Sequence, residues 1–542
     1  MTLEALMHGT PGLITAYAAV QAPMFAGLAR GRAELGKYLR SPLPAAALTV
    51  GIGAAFSLLE PWLHAAAATW GALVPFTLGT VSSAAVGYIA GRLIAAKEPA
   101  DSTLRRGALV DEAHVSRRRA VSASASAAVR LAGLEVPAVD EAKHFKLIGT
   151  TGTGKSTAIR ELIGGALRRG DRAVIADPDG GYTARFFNTE RGDRILNPFD
   201  PRSMRWDLFA EIDNVYDVDQ LARSLIPDHG GSDRIWAEYA RTFFTAVTTQ
   251  VREAGVNEVG ELYRLLVIAD AAELRVLVRG TPAQPFLDEH NAKMFDSIRS
   301  VTGAAVGPLQ HVAAQQAAPF SIRHWIAEDQ PGVLFMPYKA GQIAALRTTI
   351  SAWMRLGIFE AMNRDEAPAA SGRAVRRALW FVVDELDALG QIDGLKDALA
   401  RLRKFDARCV LGFQSIAQVS SLYGAGDAQT IVENCGNTLI LRCSASEGGG
   451  TARFASQLVG EREVRRSAIS RSWRATEFFA STTRSEHLSI EPALLPSQIE
   501  QLPDLAGYLK HASGPVWRRV TLATTAPAQP ARGADAGGLA RE

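Results

Sequence analysis

Short apolar runs alternate with helical patterns over most of the chain from residue 131 onward. Continuous apolar runs of this kind are typical of strands that are buried on both faces of a parallel sheet. Parallel strands need crossover connections, so the alternation predicts an α/β fold with a doubly wound, mostly parallel sheet. The predicted strands are the run that ends before Gly149 and residues 173–176, 193–196, 332–336, 378–383, 407–413, 437–442 and 507–510.

A long interval without a convincing strand pattern separates two of these runs, between about residues 203 and 320. Apolar residues here recur every four positions behind Ser232, which is a suitable helix N-cap. They are Ile235, Tyr239, Phe243, Val247 and Val251. We therefore predict an all-α domain, residues 203–319, inserted into an α/β domain made of residues 131–202 and 320–523. Residues 524–542 are rich in Ala, Pro and Gly and are predicted to be disordered.

Two stretches near the N-terminus contain no charged residue, residues 41–59 and 61–91. A helix needs about 20 residues to cross a bilayer core of about 30 Å, so each stretch is long enough. We expect a transmembrane helical hairpin, with helices at about 42–60 and 70–92, in a membrane-anchoring region of residues 1–98. Arg and Lys flank both stretches, which places both ends in the cytoplasm by the positive-inside rule. The expected location is therefore the bacterial inner membrane, with several spans and the remaining domains cytoplasmic.

Three points of this interpretation stay open at the level of sequence. The two stretches are rich in Ala and Gly and could instead be core helices of a globular domain. Residues 11–29 are also uncharged and could form a third membrane segment. Residues 99–130 form a basic linker, which either contacts anionic lipid or DNA phosphate or is simply solvated.

Charge and cysteine content exclude several classes of function. Lys and Arg total 59 against 56 Asp and Glu, so bulk charge does not indicate wholesale binding to nucleic acid, and any polyanion contact must be local. The three cysteines, Cys409, Cys435 and Cys443, lie far apart without a C-x-x-C pair. This spacing argues against a disulfide scaffold or a zinc site and suits a reducing compartment.

The most specific motif is Gly149-x-x-x-x-Gly154-Lys155-Ser156, a P-loop between a predicted strand and a predicted helix over residues 158–166. Its glycines allow successive backbone N–H groups to point at a phosphate, and the helix N-terminus adds partial positive charge. Lys155 would contact the β- and γ-phosphates of a nucleoside triphosphate such as ATP, and the Ser156 hydroxyl would ligate Mg²⁺. The predicted nucleotide contacts are Gly149, Thr150, Thr151, Gly152, Thr153, Gly154, Lys155, Ser156 and Thr157.

Two further strand ends offer the chemistry that a P-loop requires. Asp384 and Glu385 follow the run 378–383. On an adjacent parallel strand, Asp384 would hold Mg²⁺ and Glu385 would act as general base on the attacking water. The alternative is a strand that ends in solvated acids. Gln414 follows the run 407–413 and could sense the γ-phosphate, whereas Asp177, after the run 173–176, receives no assigned role.

Basic residues between these two strands, Arg401, Arg403 and Lys404, end a helical pattern. One of them could reach into the site of a neighbouring subunit as an arginine finger, and a solvated helix face is the competing interpretation. In their order along the chain, all these features resemble the type IV secretion coupling proteins, the TraD/TrwB group of conjugative DNA-pumping ATPases. The resemblance covers roughly residues 40–520. It is carried by residues 144–157, 170–177, 195–200, 379–386, 412–415 and 502–504.

The resemblance implies a RecA-like motor that forms a hexameric ring on the inner membrane and hydrolyses ATP in response to DNA. Such proteins pass the relaxase-bound single strand from the relaxosome to the secretion channel. The implied partners are single-stranded DNA, the relaxase and relaxosome, inner-membrane components of the type IV secretion system, the lipid bilayer and further copies of the chain. By position, Arg403 looks like the family's suggested arginine finger. The expected catalytic residues are therefore Lys155, Glu385, Gln414 and Arg403.

Three other functions remain as alternatives at this level. A coupling ATPase could deliver protein effectors in place of DNA, and stimulation of ATP turnover by single-stranded DNA would discriminate between the two. An FtsK-like chromosome translocase is a second alternative, which the small number of candidate spans disfavours. A membrane scaffold that merely binds nucleotide is the third, and it requires that DNA transfer survive the loss of nucleotide turnover.

Overall fold

The computed structural model describes residues 10–31, 33, 35–63, 73–92, 102–113, 128–227, 234–366, 377–446, 449–472 and 481–523. The chain divides into two units. One comprises residues from 1–103 and 465–487, and the other comprises residues from 104–464 and 488–542. Most of the predicted basic linker, 99–130, and the whole predicted tail, 524–542, lie outside the described residues, so those two expectations remain predictions.

The N-terminal unit is built from helices that approach each other closely through glycine. Its helices are α1 Thr10–Arg30, α2 Leu35–Tyr38, α3 Pro42–Leu63 and α4 Leu73–Arg92. A Cβ atom on Gly27 would collide with the carbonyl oxygen of Ala84, and one on Gly87 would collide with that of Met24. Because glycine lacks this atom, the backbones of α1 and α4 can lie almost in contact.

The expected transmembrane hairpin at 42–60 and 70–92, and with it the multi-pass inner-membrane location and the bilayer as a partner, is not supported. Within the described ranges, no helix combines the length and the apolarity that a membrane crossing requires, and this includes α1. The physical reason is that an absence of charge does not amount to sustained apolarity. These helices are rich in Ala, Gly, Ser and Thr, which gain much less than Leu, Ile, Phe or Val on entering hydrocarbon. The N-terminal unit also buries polar groups, such as the Gln21 amide of α1, which donates to the Ser41 hydroxyl before α3 at 2.5 Å.

The second unit contains a twisted sheet of ten strands among the described residues. The strands of the whole described chain are β1 Ser102–Gly107, β2 Leu109–Asp111, β3 Arg130–Leu131, β4 Leu134–Glu135, β5 Phe145–Ile148, β6 Arg172–Pro178, β7 Arg194–Ile195, β8 Arg205–Trp206, β9 Pro319–Phe320, β10 Val333–Tyr338, β11 Leu379–Val383, β12 Ala407–Phe413, β13 Asn437–Ile440, β14 Glu461–Ser472, β15 Ser481–Pro492, β16 Ala506–Lys510 and β17 Val516–Thr521. The order in the large sheet is β2-β17-β16-β13-β5-β12-β11-β6-β10-β7.

Seven consecutive strands of this sheet, from β13 to β7, are parallel, while β16 and β17 extend it in antiparallel fashion. The predicted α/β class with a mostly parallel sheet is confirmed. The sequence missed β14 and β15, which form a separate three-stranded sheet with β1, because their many charged residues do not read as an apolar run. It also missed β17, which lies between β16 and the edge strand β2 of the large sheet.

Both faces of the sheet are covered, which is why its strands read as continuous apolar runs. In β11, Phe381 and Val383 belong to the core on one face, whereas Trp380 and Val382 belong to the core on the other.

The helices of the second unit are α5 Ala138–Glu141, α6 Lys155–Arg169, α7 Thr183–Phe186, α8 Val215–Leu225, α9 Arg234–Glu253, α10 Val259–Tyr263, α11 Ala271–Leu277, α12 Ala292–Val306, α13 Leu309–Ala313, α14 Ile322–Ala327, α15 Ile343–Asn363, α16 Leu395–Arg401, α17 Ile416–Tyr423, α18 Ala425–Asn434, α19 Gly450–Val459 and α20 Pro496–Glu500.

The segment expected to be an all-α insertion is helical between two very short strands. The strands β8 and β9 pair in parallel at its start and end, with Arg205 opposite Pro319 and Trp206 opposite Phe320. Helix α9, Arg234–Glu253, carries the apolar stripe that the four-residue spacing predicts, and it buries Phe243 and Val247. Its proposed N-cap, Ser232, lies outside the described residues.

Candidate functional site

Backbone geometry that only glycine adopts comfortably forms the loop between β5 and α6. Gly152 and Gly154 have φ values of +78° and +116°, in the left-handed region that disfavours side chains. A Cβ atom on Gly154 would lie 2.9 Å from a methyl group of Leu505, and one on Gly149 would lie 2.8 Å from the Thr153 hydroxyl. The loop therefore depends on its glycines both for its turns and for close packing.

Lys155 begins α6 and folds back over this loop. Its Nζ donates to the backbone oxygens of Gly149, at 2.6 Å, and Thr150, at 3.2 Å. Burial lowers the pKa of Lys155, and the charges of Asp384 and Glu385 oppose that shift. Among the described residues, this cation is held by two carbonyl oxygens and by the field of nearby acids, so it is suited to exchange these contacts for phosphate oxygens.

Asp384, directly after β11, lies against the start of α6. The hydroxyls of Ser156 and Tyr182 both donate to its Oδ2, at 2.6 Å and 2.8 Å. Its Oδ1 is buried and has no hydrogen-bond partner among the residues that the structure describes. A hydroxyl and a buried carboxylate with a free oxygen are hard oxygen donors of the kind that Mg²⁺ prefers. These residues therefore fit a magnesium site.

A chain of side chains connects the loop to Glu385. The Thr151 hydroxyl donates to Oε1 of Gln414 at 2.8 Å, and the Gln414 amide donates to Oε1 of Glu385 at 3.3 Å. Burial raises the pKa of Glu385, and the charges of Asp384 and Asp387 raise it further. A raised pKa moves a carboxylate towards the range in which it accepts a proton efficiently near neutral pH.

These groups meet around one cavity of about 240 Å³. Its lining residues are Thr151, Gly152, Gly154, Lys155, Ser156, Thr157, Arg160, Asp384, Glu385, Gln414 and Leu505. The sequence missed Arg160 and Leu505 in this set, although the position of Arg160 on the helix that begins at Lys155 was an available signal. The acidic strand β11 is not adjacent to β5, because β12 lies between them. The site still assembles, since parallel strands present their carboxyl ends at one edge of the sheet.

Arg403 does not line this cavity. It is exposed on the 3₁₀ turn Leu402–Phe405, which precedes β12 and therefore lies at the amino ends of the strands, opposite the P-loop edge. Its charge is near His144, the residue before β5. Within one chain, Arg403 and the P-loop occupy opposite edges of the sheet.

Asp177, which the sequence left without a role, fixes a turn. Its carboxylate accepts from the backbone N–H groups of Tyr182, at 3.0 Å, and Thr183, at 2.7 Å, and from the Thr183 hydroxyl at 2.6 Å. Tyr182 is thereby placed beside Asp384. The sequence missed this tyrosine, because its distance from Asp384 in the chain leaves no local signal.

Comparison with known sequences is consistent with this geometry. Residues 128–523 match the family described as the type IV secretion-system coupling protein DNA-binding domain. The chain is 30% identical over 387 residues to the coupling protein TraD of Escherichia coli K12, covering 70% of this chain and 52% of TraD. It is 24% identical over 419 residues to the Escherichia coli conjugal transfer protein TraG, covering 69% of this chain and 63% of TraG. The chain thus spans between about half and two thirds of these relatives.

Solved structures of the plasmid coupling protein TrwB are also similar. Its complex with the non-hydrolysable ATP analogue ADPNP has a TM-score of 0.69 at 29% identity, covering 80% of this chain and 98% of that chain. Its complex with ADP and Mg²⁺ has a TM-score of 0.68 at 30% identity, covering 80% and 97%. Fold and site define an α/β P-loop nucleotide-binding protein. The chain belongs to the family of type IV secretion coupling proteins that includes TraD and TrwB.

Proposed function

We propose that the chain is a coupling ATPase of conjugation, which links the relaxosome to a type IV secretion channel and moves single-stranded DNA. The observation that carries this proposal is the meeting of Lys155, Ser156, Asp384, Glu385 and Gln414 around one cavity in a chain of the coupling-protein family. The match to a family described by its DNA-binding domain favours DNA over protein effectors as cargo.

ATP and Mg²⁺ are the proposed ligands of this cavity. TrwB, the similar protein, has been solved with an ATP analogue and with ADP and Mg²⁺. The loop from Gly149 to Thr157 would hold the phosphates through its backbone N–H groups, and Lys155 would exchange its carbonyl contacts for phosphate oxygens. Ser156 and Asp384 would hold the metal, which when bound neutralises developing charge on the phosphates.

Hydrolysis follows from the arrangement of the chain's own side chains. Glu385 accepts a proton from water as the water oxygen bonds to the γ-phosphorus and the bond to the β–γ bridging oxygen breaks. Lys155 stabilises the charge that develops on the phosphate oxygens. Gln414, which bridges Thr151 and Glu385 at 2.8 Å and 3.3 Å, orients the base and is placed to respond when the γ-phosphate leaves.

Arg403 requires a second copy of the chain if it is to act on a nucleotide. Because it lies at the sheet edge opposite its own P-loop, we propose that it reaches the cavity of a neighbouring subunit in a RecA-like ring, for which a hexamer is the expected size. The relaxase, the relaxosome and the inner components of the secretion system are the proposed partners of this ring. The helical segment 203–319 is the proposed domain that faces the DNA-processing partners. It is inserted into a motor domain of residues 131–202 and 320–523.

ATP turnover by the full-length chain, with and without single-stranded DNA, tests the proposal. We expect DNA to stimulate turnover, and we expect Lys155→Ala and Glu385→Gln to abolish it, with Glu385→Gln still binding nucleotide. Asp397→Asn is the control, since it removes an exposed carboxylate of α16 that does not line the cavity. Turnover that neither DNA nor these substitutions change would refute the proposal.

A further inference from the structure

We propose that Tyr182 is a positioning residue for Asp384, and that its hydroxyl holds this carboxylate in the orientation that receives the metal. The inference deepens the proposed function at the same site and rests on it. It names a residue outside the P-loop and outside the acidic strand. The role is indirect, because Tyr182 would act on the metal only through Asp384.

Contacts on several sides fix the place of the Tyr182 ring. The residue is 1% exposed, and its backbone N–H donates to Asp177 at 3.0 Å. The guanidinium of Arg160 lies over the ring at 5.5 Å from its centre. A side chain held at both its backbone and its ring loses little freedom when its hydroxyl makes a further bond.

The hydroxyl of Tyr182 and that of Ser156 converge on the same oxygen of Asp384, Oδ2. Two donors on one oxygen define the rotation of the carboxylate and leave Oδ1 as the oxygen without a partner in the described part of the chain. Ser156 belongs to the proposed metal-holding pair itself. Tyr182 is therefore the donor that can fix Asp384 independently of the metal, as outer partners of metal ligands do in general.

Binding of a fluorescent ADP analogue to the full-length chain tests the proposal, because it requires no turnover. Tyr182→Phe removes only the hydroxyl and keeps the ring beside Arg160. We expect metal-free nucleotide affinity to be unchanged, whereas the Mg²⁺ concentration for half-maximal enhancement of binding rises roughly 10-fold, the lower end of the effect of losing such a partner. Mn²⁺ binding to the ADP-loaded protein, followed by electron paramagnetic resonance, should weaken in the same proportion.

Tyr338→Phe is the matched control. The Tyr338 hydroxyl is also buried, at the end of β10 and within the field of the same acids, but it has no hydrogen-bond partner in the described ranges and so donates no bond to Asp384. We expect this variant to keep the Mg²⁺ dependence of the wild type. A similar loss in both variants would show that any buried hydroxyl near the acids matters, and it would overturn the specific role of Tyr182.

The remaining outcomes separate this inference from the proposed function. If the wild type binds nucleotide with Mg²⁺ enhancement and Tyr182→Phe behaves identically, the positioning role is refuted while the function stands. If Tyr182→Phe also loses metal-free binding, the residue supports the fold of the site and the positioning role is again refuted. If the wild type itself binds no nucleotide, both proposals fall together.

Discussion

His144, the residue immediately before β5 and the P-loop, should make the protein sensitive to acid. Its Nδ1 accepts the backbone N–H of Cys409 at 3.0 Å, so its Nε2 carries the proton and donates to the Leu399 oxygen at 2.9 Å. Protonation of Nδ1 would break the first of these bonds. Burial, and then the positive charges of Arg408 and Arg403, lower the pKa of His144 to about 4.

The sign of the effect follows from the direction of this shift. Because the folded-state pKa lies below the ordinary value of 6.5, the unfolded chain takes up the proton first as the pH falls. Stability is therefore complete above pH 6.5 and is lost between about 6.5 and about 4. With these two values, His144 alone should lower the free energy of unfolding by about 2 kcal/mol between pH 7.5 and pH 5.

Urea denaturation of the nucleotide-free chain at these two pH values tests this magnitude. His144→Asn removes the titration, and Asn tolerates the φ of +53° at this position better than most residues. The variant should be less stable at pH 7.5 but should lose about 2 kcal/mol less than the wild type on acidification. His290→Asn, at an exposed histidine, should follow the wild type. Equal losses in the wild type and His144→Asn would refute the reasoning.

Three further predictions concern single side chains. Arg355→Ala should lower the free energy of unfolding by roughly 3–5 kcal/mol in urea titrations, because this buried arginine bonds to groups from α8 and from the loop before α16. Gly154→Ala should strain the loop by roughly 1–3 kcal/mol and should abolish nucleotide binding in a fluorescence titration. Gly170→Ala is the control, because a Cβ atom there meets no neighbouring atom even though φ is +92°, and nucleotide binding should not change. Gln414→Ala should slow ATP turnover by up to roughly 100-fold in a steady-state assay, since its amide orients Glu385, and it should leave the affinity for ADP unchanged.

Local patterns were sufficient for the features whose cause is local. The P-loop was predictable because its glycines, Lys155 and Ser156 occupy consecutive positions, between a strand and a helix that each show their own periodicity. The strands of the sheet centre were predictable to within a few residues, as in β12, because burial on both faces leaves few polar positions. Their burial also explains why Asp384 and Gln414, the first polar residues after two such strands, could be recognised as candidates.

The predictions failed where the hydrophobic pattern of the sequence was ambiguous. The charge-free N-terminal stretches satisfied the length criterion for membrane spans, but Ala and Gly carry too little apolar surface to decide between a bilayer and a packed helical unit. The strands β14 and β15 were missed for the opposite reason: they are rich in charged residues, which is typical of loops. In both cases the hydrophobicity of successive residues does not show what their side chains contact in the folded protein.

The amino-acid sequence by itself determined the class of fold, the phosphate loop and the residue types available for catalysis. Each of these depends on contacts between neighbours in the chain. The tertiary structure decided the order of the strands, with β12 between the P-loop strand and the acidic strand, and it brought Tyr182 and Leu505 to the site from distant parts of the chain. No local pattern encodes these encounters, because they depend on how the sheet is wound and on which helices cover its two faces.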